Sequence, residues 1–184
     1  GSYFPHLGDF ATSGAINIVT RRYAQQSSLT VMGGSYQTAR FLGILSTPER
    51  ATFRPYMAFE YYHNDGPFKN PAEYNRYNFF SNFNIISNAR TKLDFLATYF
   101  SSNWNASGEI PSRAVRNREL GRFGAVDSSE GGNTERQNLS LIYNFADANQ
   151  SLRAQTWMSW YRFQLWSNFS YFLNNPEQGD GIEQ

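Results

Sequence analysis

No cysteine occurs among the 184 residues, which excludes a disulfide framework, thiol catalysis and cysteine-ligated zinc or iron–sulfur centres. Histidine is nearly as scarce. His6 and His63 are the two, and without a paired-histidine spacing a metal centre would draw most of its ligands from carboxylates, so no metal or other cofactor is expected. A charge excess is missing too: 16 Lys plus Arg face 15 Asp plus Glu, a balance that argues against a polyanion binder driven by bulk electrostatics, so nucleic acid is not an expected partner. No apolar run reaches about 18 residues, so no helix is expected to span a bilayer. No basic stretch followed by an apolar one opens the chain, so no signal peptide is read.

What the chain has in quantity is rings and amides: 4 Trp, 12 Tyr, 16 Phe and 18 Asn. That ring content, with little net charge, excludes a disordered polymer. The organising signal is alternation of period 2, which sends successive side chains to opposite faces of a strand. It predicts strands at about 28–36, 39–47, 53–64, 75–87, 91–103, 134–146 and 151–171. In the fourth, Tyr77, Phe79, Phe83 and Ile85 share a face opposite Asn78, Asn82 and Asn84. In the fifth, Leu93, Phe95, Ala97 and Tyr99 oppose Lys92, Asp94, Leu96 and Thr98, and in the sixth Leu139, Leu141, Tyr143 and Phe145 oppose Asn138, Ser140, Ile142 and Asn144. The seventh sets Leu152, Ala154, Met158 and Trp160 against Arg153, Gln155 and Ser159.

Period alone fits two architectures: a transmembrane β-barrel with a wet lumen, and a soluble antiparallel sheet with one solvated face. Link length separates them. Ser46 to Thr52, Ser87 to Arg90 and Ala146 to Gln150 are short, whereas Asp65 to Glu73 and Asn105 to Asn133 are long. Short turns at one end, long loops at the other and strands well beyond the common length of about 5 to 6 residues favour the barrel.

The string Gly8-Asp9-Phe10-Ala11-Thr12-Ser13-Gly14-Ala15-Ile16-Asn17-Ile18-Val19-Thr20 resembles the closing segment of the plug domain of TonB-dependent outer-membrane receptors. The stretch from Gly108 through Ile110-Pro111, Arg113-Ala114-Val115, Gly121-Arg122-Phe123-Gly124, Asp127 and Gly131-Gly132 to Arg136 resembles a long external loop in one branch of that family. The resemblance implies a plug end at 1–22, with Gly8, Asp9, Gly14 and Asn17 as its motif, and the first part of a transmembrane barrel at 23–184. It implies about seven strands of a barrel that usually has 22, and hence a fragment of a larger receptor. It further implies the outer membrane of a Gram-negative bacterium, with outer-membrane lipid and lipopolysaccharide around the barrel. Uptake of a scarce small-molecule or glycan substrate (ferric siderophore, cobalamin or glycan) would be energised by the inner-membrane TonB complex through an N-terminal region outside this sequence.

No residue is expected to be catalytic. His63 lies two positions from Asp65, but nucleophile, base and orienter are recognised by geometry, and an interfacial ring beside Tyr61 and Tyr62 is the plainer role. Glu109, Glu119, Asp127 and Glu130 lack calcium-loop spacing and read as solvated charge. Arginine outnumbers lysine 14 to 2, and Arg113, Arg116, Arg118 and Arg122 gather in one long loop. Their guanidinium forks suit an anionic ligand or lipid phosphates, against the plain alternative of an exposed helical turn neutralised by Glu119. Trp157, Trp160, Trp166, Tyr161 and Tyr171 read as an interfacial belt, with stacking on a sugar or chelate ring as the other use of such rings. Two further functions stay open: a passive porin or adhesin of the outer membrane, and a soluble carbohydrate-binding sandwich.

Overall fold

A computed structural model describes residues 20–21, 24–47, 54–168, 170, 172, 174–177 and 182–183. The plug-like string, with Gly8, Asp9, Gly14 and Asn17, lies outside these residues, as does Tyr171. The described chain is all-β: β1 (Ser28–Gly33), β2 (Ala39–Ser46), β3 (Arg54–Asn64), β4 (Tyr74–Ser87), β5 (Thr91–Asn105), the short helix α1 (Ser112–Arg116), β6 (Gly131–Ala146), β7 (Ser151–Ser167) and the two-residue β8 (Ile182–Glu183). All eight strands form one sheet in sequence order, each antiparallel to the next.

Register carries the alternation of each strand across the whole sheet. One row runs Leu29, Gly43, Phe59, Phe79, Tyr99, Gln137, Trp160, and the next runs Leu45, Met57, Ser81, Ala97, Leu139, Met158. A third joins Pro55, Phe83, Phe95 and Leu141. These rows define an apolar face, tied by ring pairs such as Tyr61 with Tyr77 at 5.1 Å and Phe83 with Phe95 at 6.4 Å, the cross-strand contacts that stabilise sheets. The opposite, polar face carries rows such as Glu60, Asn78, Phe100, Arg136, Tyr161 and Ala58, Phe80, Thr98, Asn138, Ser159.

Burial is the reverse of a water-soluble core. Among the described residues Ala114 is the buried hydrophobic side chain, whereas Ser81, Asn82, Asp94, Ser102 and Asn168 are buried polar ones. Leu29 is 76% exposed, Leu152 57% and Phe59 48%. Within the described residues each strand packs only on its sequence neighbours, and no second layer covers either face.

Turn chemistry sets the ends. Asn88 Oδ1 accepts from the N–H groups of Arg90 and Thr91, and Asp147 Oδ1 accepts from those of Asn149 and Gln150, so an Asx side chain closes each of two short links. These N–H donors, Asn149 first, hold the exposed Asp147 carboxyl below its ordinary value. β1 stops at Gly33, short of the run to 36, because Tyr36 and Gln37 adopt φ of 57° and 55° in a mirror-image turn closed by Thr38 N–H to Ser35 O, a left-handed geometry that ends a strand.

The other ends differ from the periodic reading in the same local way. β6 begins at Gly131, not at Thr134, since the glycine pair is in the ladder opposite Asn105 and Trp104. β5 accordingly extends to Asn105 rather than 103. β7 stops at Ser167, ahead of 171, where Asn168 turns into hydrogen bonds with a loop. A bulge places Ile86, not Ile85, opposite Leu93.

Candidate ligand-facing site

The links 34–38, 65–73 and 106–130 leave the sheet at one end, where Asn168 follows β7, and they are joined each to the next. Asp65 N–H donates to Tyr36 O at 2.9 Å, connecting the first to the second. The second meets the third through Lys69 N–H to Phe123 O at 2.9 Å, Asn70 Nδ2 to Ala106 O at 3.0 Å and the Phe68 and Phe123 rings at 6.0 Å. The third meets Asn168, whose backbone N–H donates to Glu130 Oε1 at 2.8 Å and whose Nδ2 donates to Asp127 Oδ2 at 3.0 Å. The Ser129 hydroxyl is the largest influence holding the Asp127 carboxyl below its ordinary value, with Asn168 and the Ser129 N–H assisting and burial opposing. Gly108, at φ 59°, leaves the Glu130 carboxylate the space that a β-carbon would invade.

Directly beneath this rim, the polar face concentrates charge and rings. Glu60 on β3 accepts from Arg40 Nε at 2.6 Å, Arg76 Nη2 at 3.0 Å and Asn78 Nδ2 at 2.7 Å. Arg76 lies over the Tyr62 ring at 5.1 Å and Arg136 over Tyr161 at 4.7 Å, both within cation–π range. Tyr62 meets Tyr74 edge-on at 5.9 Å, and Trp104 meets Phe163 at 6.5 Å. Gly132 makes that last contact possible, because a β-carbon there would stand 2.7 Å from the Trp104 ring. Tyr74, Ser102, Trp104, Asn105 and Ala72 line an open hollow of about 470 Å³, of a size and mixed lining that suit a small ligand.

The residues expected to bind stand elsewhere. Arg113 and Arg116 belong to α1, Arg118 has φ 63° and Arg122 follows it in the loop, and all four are exposed. Glu119 accepts from Asn117 Nδ2 at 3.1 Å, and no ion pair links it to these arginines among the described residues. His63 sits between Asp65 Oδ1 at 3.2 Å and Asn75 Oδ1 at 3.0 Å, while Asn75 Oδ1 also accepts from the Tyr61 hydroxyl, so its partners are an acid and an amide. No group of three or more metal-ligating side chains exists among the described residues.

The ring belt divides: Trp160 and Trp166 lie on the apolar face, but register puts Trp157 and Tyr161 on the polar one, which removes them from a lipid-side belt. The cluster around Glu60 escaped the sequence reading. Arg40, Glu60, Arg76 and Arg136 are scattered along the chain, and only register shows that they share a face. No protein-family model matches the chain, and no curated protein or solved structure matches it.

Proposed function

We propose that the chain forms part of the wall of a β-barrel in the outer membrane of a Gram-negative bacterium and serves a TonB-dependent receptor that takes up a scarce substrate. One observation carries this reading: among the described residues a sheet without a second layer exposes most of its apolar rows, while Asn82, Asp94 and Ser102 are buried on the polar face. In water such a face is an association hazard, whereas acyl chains solvate it and a barrel closed by further strands leaves no unpaired edge.

The linked loops then face outward and the short turns face the periplasm. The plug-like string at Gly8 to Thr20 supplies the energised reading: the inner-membrane TonB complex pulls a plug, and the substrate is a ferric siderophore, a cobalamin or a glycan. The work is binding followed by a shift between plugged and open populations, with no covalent chemistry and no cofactor.

Fractionation and transport test it together. The full-length protein sediments with outer membranes and needs detergent for release, and its substrate accumulates only while the proton-motive force stands. Release without detergent removes the membrane placement, and accumulation that survives an uncoupler turns the reading to a passive porin.

A further inference from the structure

The polar face under the loops has a charge and ring arrangement more specific than a generic wet wall. In the two rows nearest the hollow, Arg40, Tyr62, Arg76, Ser102, Thr134, Phe163 and Leu42, Glu60, Asn78, Phe100, Arg136, Tyr161 lie side by side. Three arginines face one carboxylate there, a surplus of two positive charges in a protein whose total is +1.

Resting on the receptor reading above, we propose that this wall binds an acidic oligosaccharide, with Arg40, Arg76 and Arg136 meeting its carboxylates and Tyr74, Trp104 and Tyr161 its sugar faces. Glu60 anchors Arg40 and Arg76 through one N–H from each, and a guanidinium has five N–H donors. Both side chains remain 31% exposed, so the forks are held in place with donors left for a second carboxylate, the pairing that guanidinium geometry favours.

Ring faces attract ligands that bring apolar C–H surface, and Tyr74 and Trp104 line the hollow together. The rings stand on β4, β5 and β7, and the arginines on β2, β4 and β6. Four strand spacings from β2 to β6 amount to about 19 Å. That width suits a chain of several rings better than one compact chelate, and the cationic surplus suits an acidic chain better than a neutral one.

Titration calorimetry on the full-length protein in detergent micelles tests this with three probes: a galacturonic acid trimer, the neutral trimer cellotriose and ferric citrate. The galacturonate trimer binds, and cellotriose binds at least about tenfold more weakly, as a site built for a charged group rejects the analogue that lacks it. Arg76→Gln and Trp104→Ala each weaken the acidic trimer by about tenfold or more. Arg136→Gln does so as well, and because Arg136 has no part in holding Glu60 it serves where Arg76→Gln fails to fold. Equal affinity for the two trimers, preference for ferric citrate, or variants that bind as tightly as the parent would overturn the proposal. Galacturonate binding by a protein that fractionates without membranes would remove the receptor reading and keep this one. Membrane residence without galacturonate binding would do the opposite.

Discussion

The two faces of this sheet share every backbone hydrogen bond, yet they treat their side chains oppositely. On the apolar face Leu29, Phe59 and Leu152 project without cover. On the other, Asn84 Nδ2 reaches Asp94 Oδ1 at 2.6 Å, Asn138 Nδ2 reaches Thr98 Oγ1 at 2.9 Å and Glu60 gathers three donors. One backbone ladder thus separates a surface of projecting apolar side chains from one whose polar side chains bond to one another. The lesson is that side-chain hydrogen bonding within the described strands concentrates on the amide-bearing side.

That contrast can be broken most severely at Phe79. Phe79→Lys is expected to cost about 2 to 4 kcal/mol if the ring meets lipid near the bilayer centre, measured by urea unfolding of the protein reconstituted in vesicles. A cost within about 0.5 kcal/mol, ordinary for a water-facing site, would equate the faces. Gly132→Ala sharpens the other side. A methyl there meets Gln164 O and the Trp104 ring, each at 2.7 Å, so a loss of about 1 to 3 kcal/mol is expected from overpacking, together with a changed Trp104 fluorescence.

Acid gives a smaller and local effect. Because the folded Asp127 carboxyl is held below its ordinary value, its contribution is complete above the ordinary carboxylate range and fades as pH falls toward the lowered value. Protection of the amides in 106–130, corrected for the intrinsic pH dependence of exchange, should therefore fall on acidification, and Asp127→Asn should flatten that dependence. Smallest of all, replacing Arg113, Arg116, Arg118 and Arg122 singly by Ala should shift stability by no more than about 0.5 kcal/mol each, since none is buried or paired among the described residues. A larger loss would mark a structural role for α1.

Much of this contrast was legible in order of sequence. Period 2 alone assigned Phe79, Phe95 and Leu141 to one side and Asn82, Asp94 and Asn138 to the other, because alternation is local. Strand ends were less legible: Tyr36 and Gln37 carry no glycine-like signal for their left-handed turn, and Gly131 and Gly132 read as loop although neighbouring Trp104 makes glycine necessary inside a strand. The polar-face arginines were illegible for a related reason. Arg113 to Arg122 are near in sequence, while Arg40, Arg76 and Arg136 are brought together only by register, which no short window of sequence contains.

The chained loops have one more consequence. Since 34–38 holds 65–73, which holds 106–130, which holds Asn168, lifting any one of them tugs on its neighbours. Opening of this end of the sheet should therefore be collective, unlike the independent fluttering of separate hairpins. Were the proposed ligand to settle underneath, it would meet surroundings already ordered, so little entropy would be lost in gripping it.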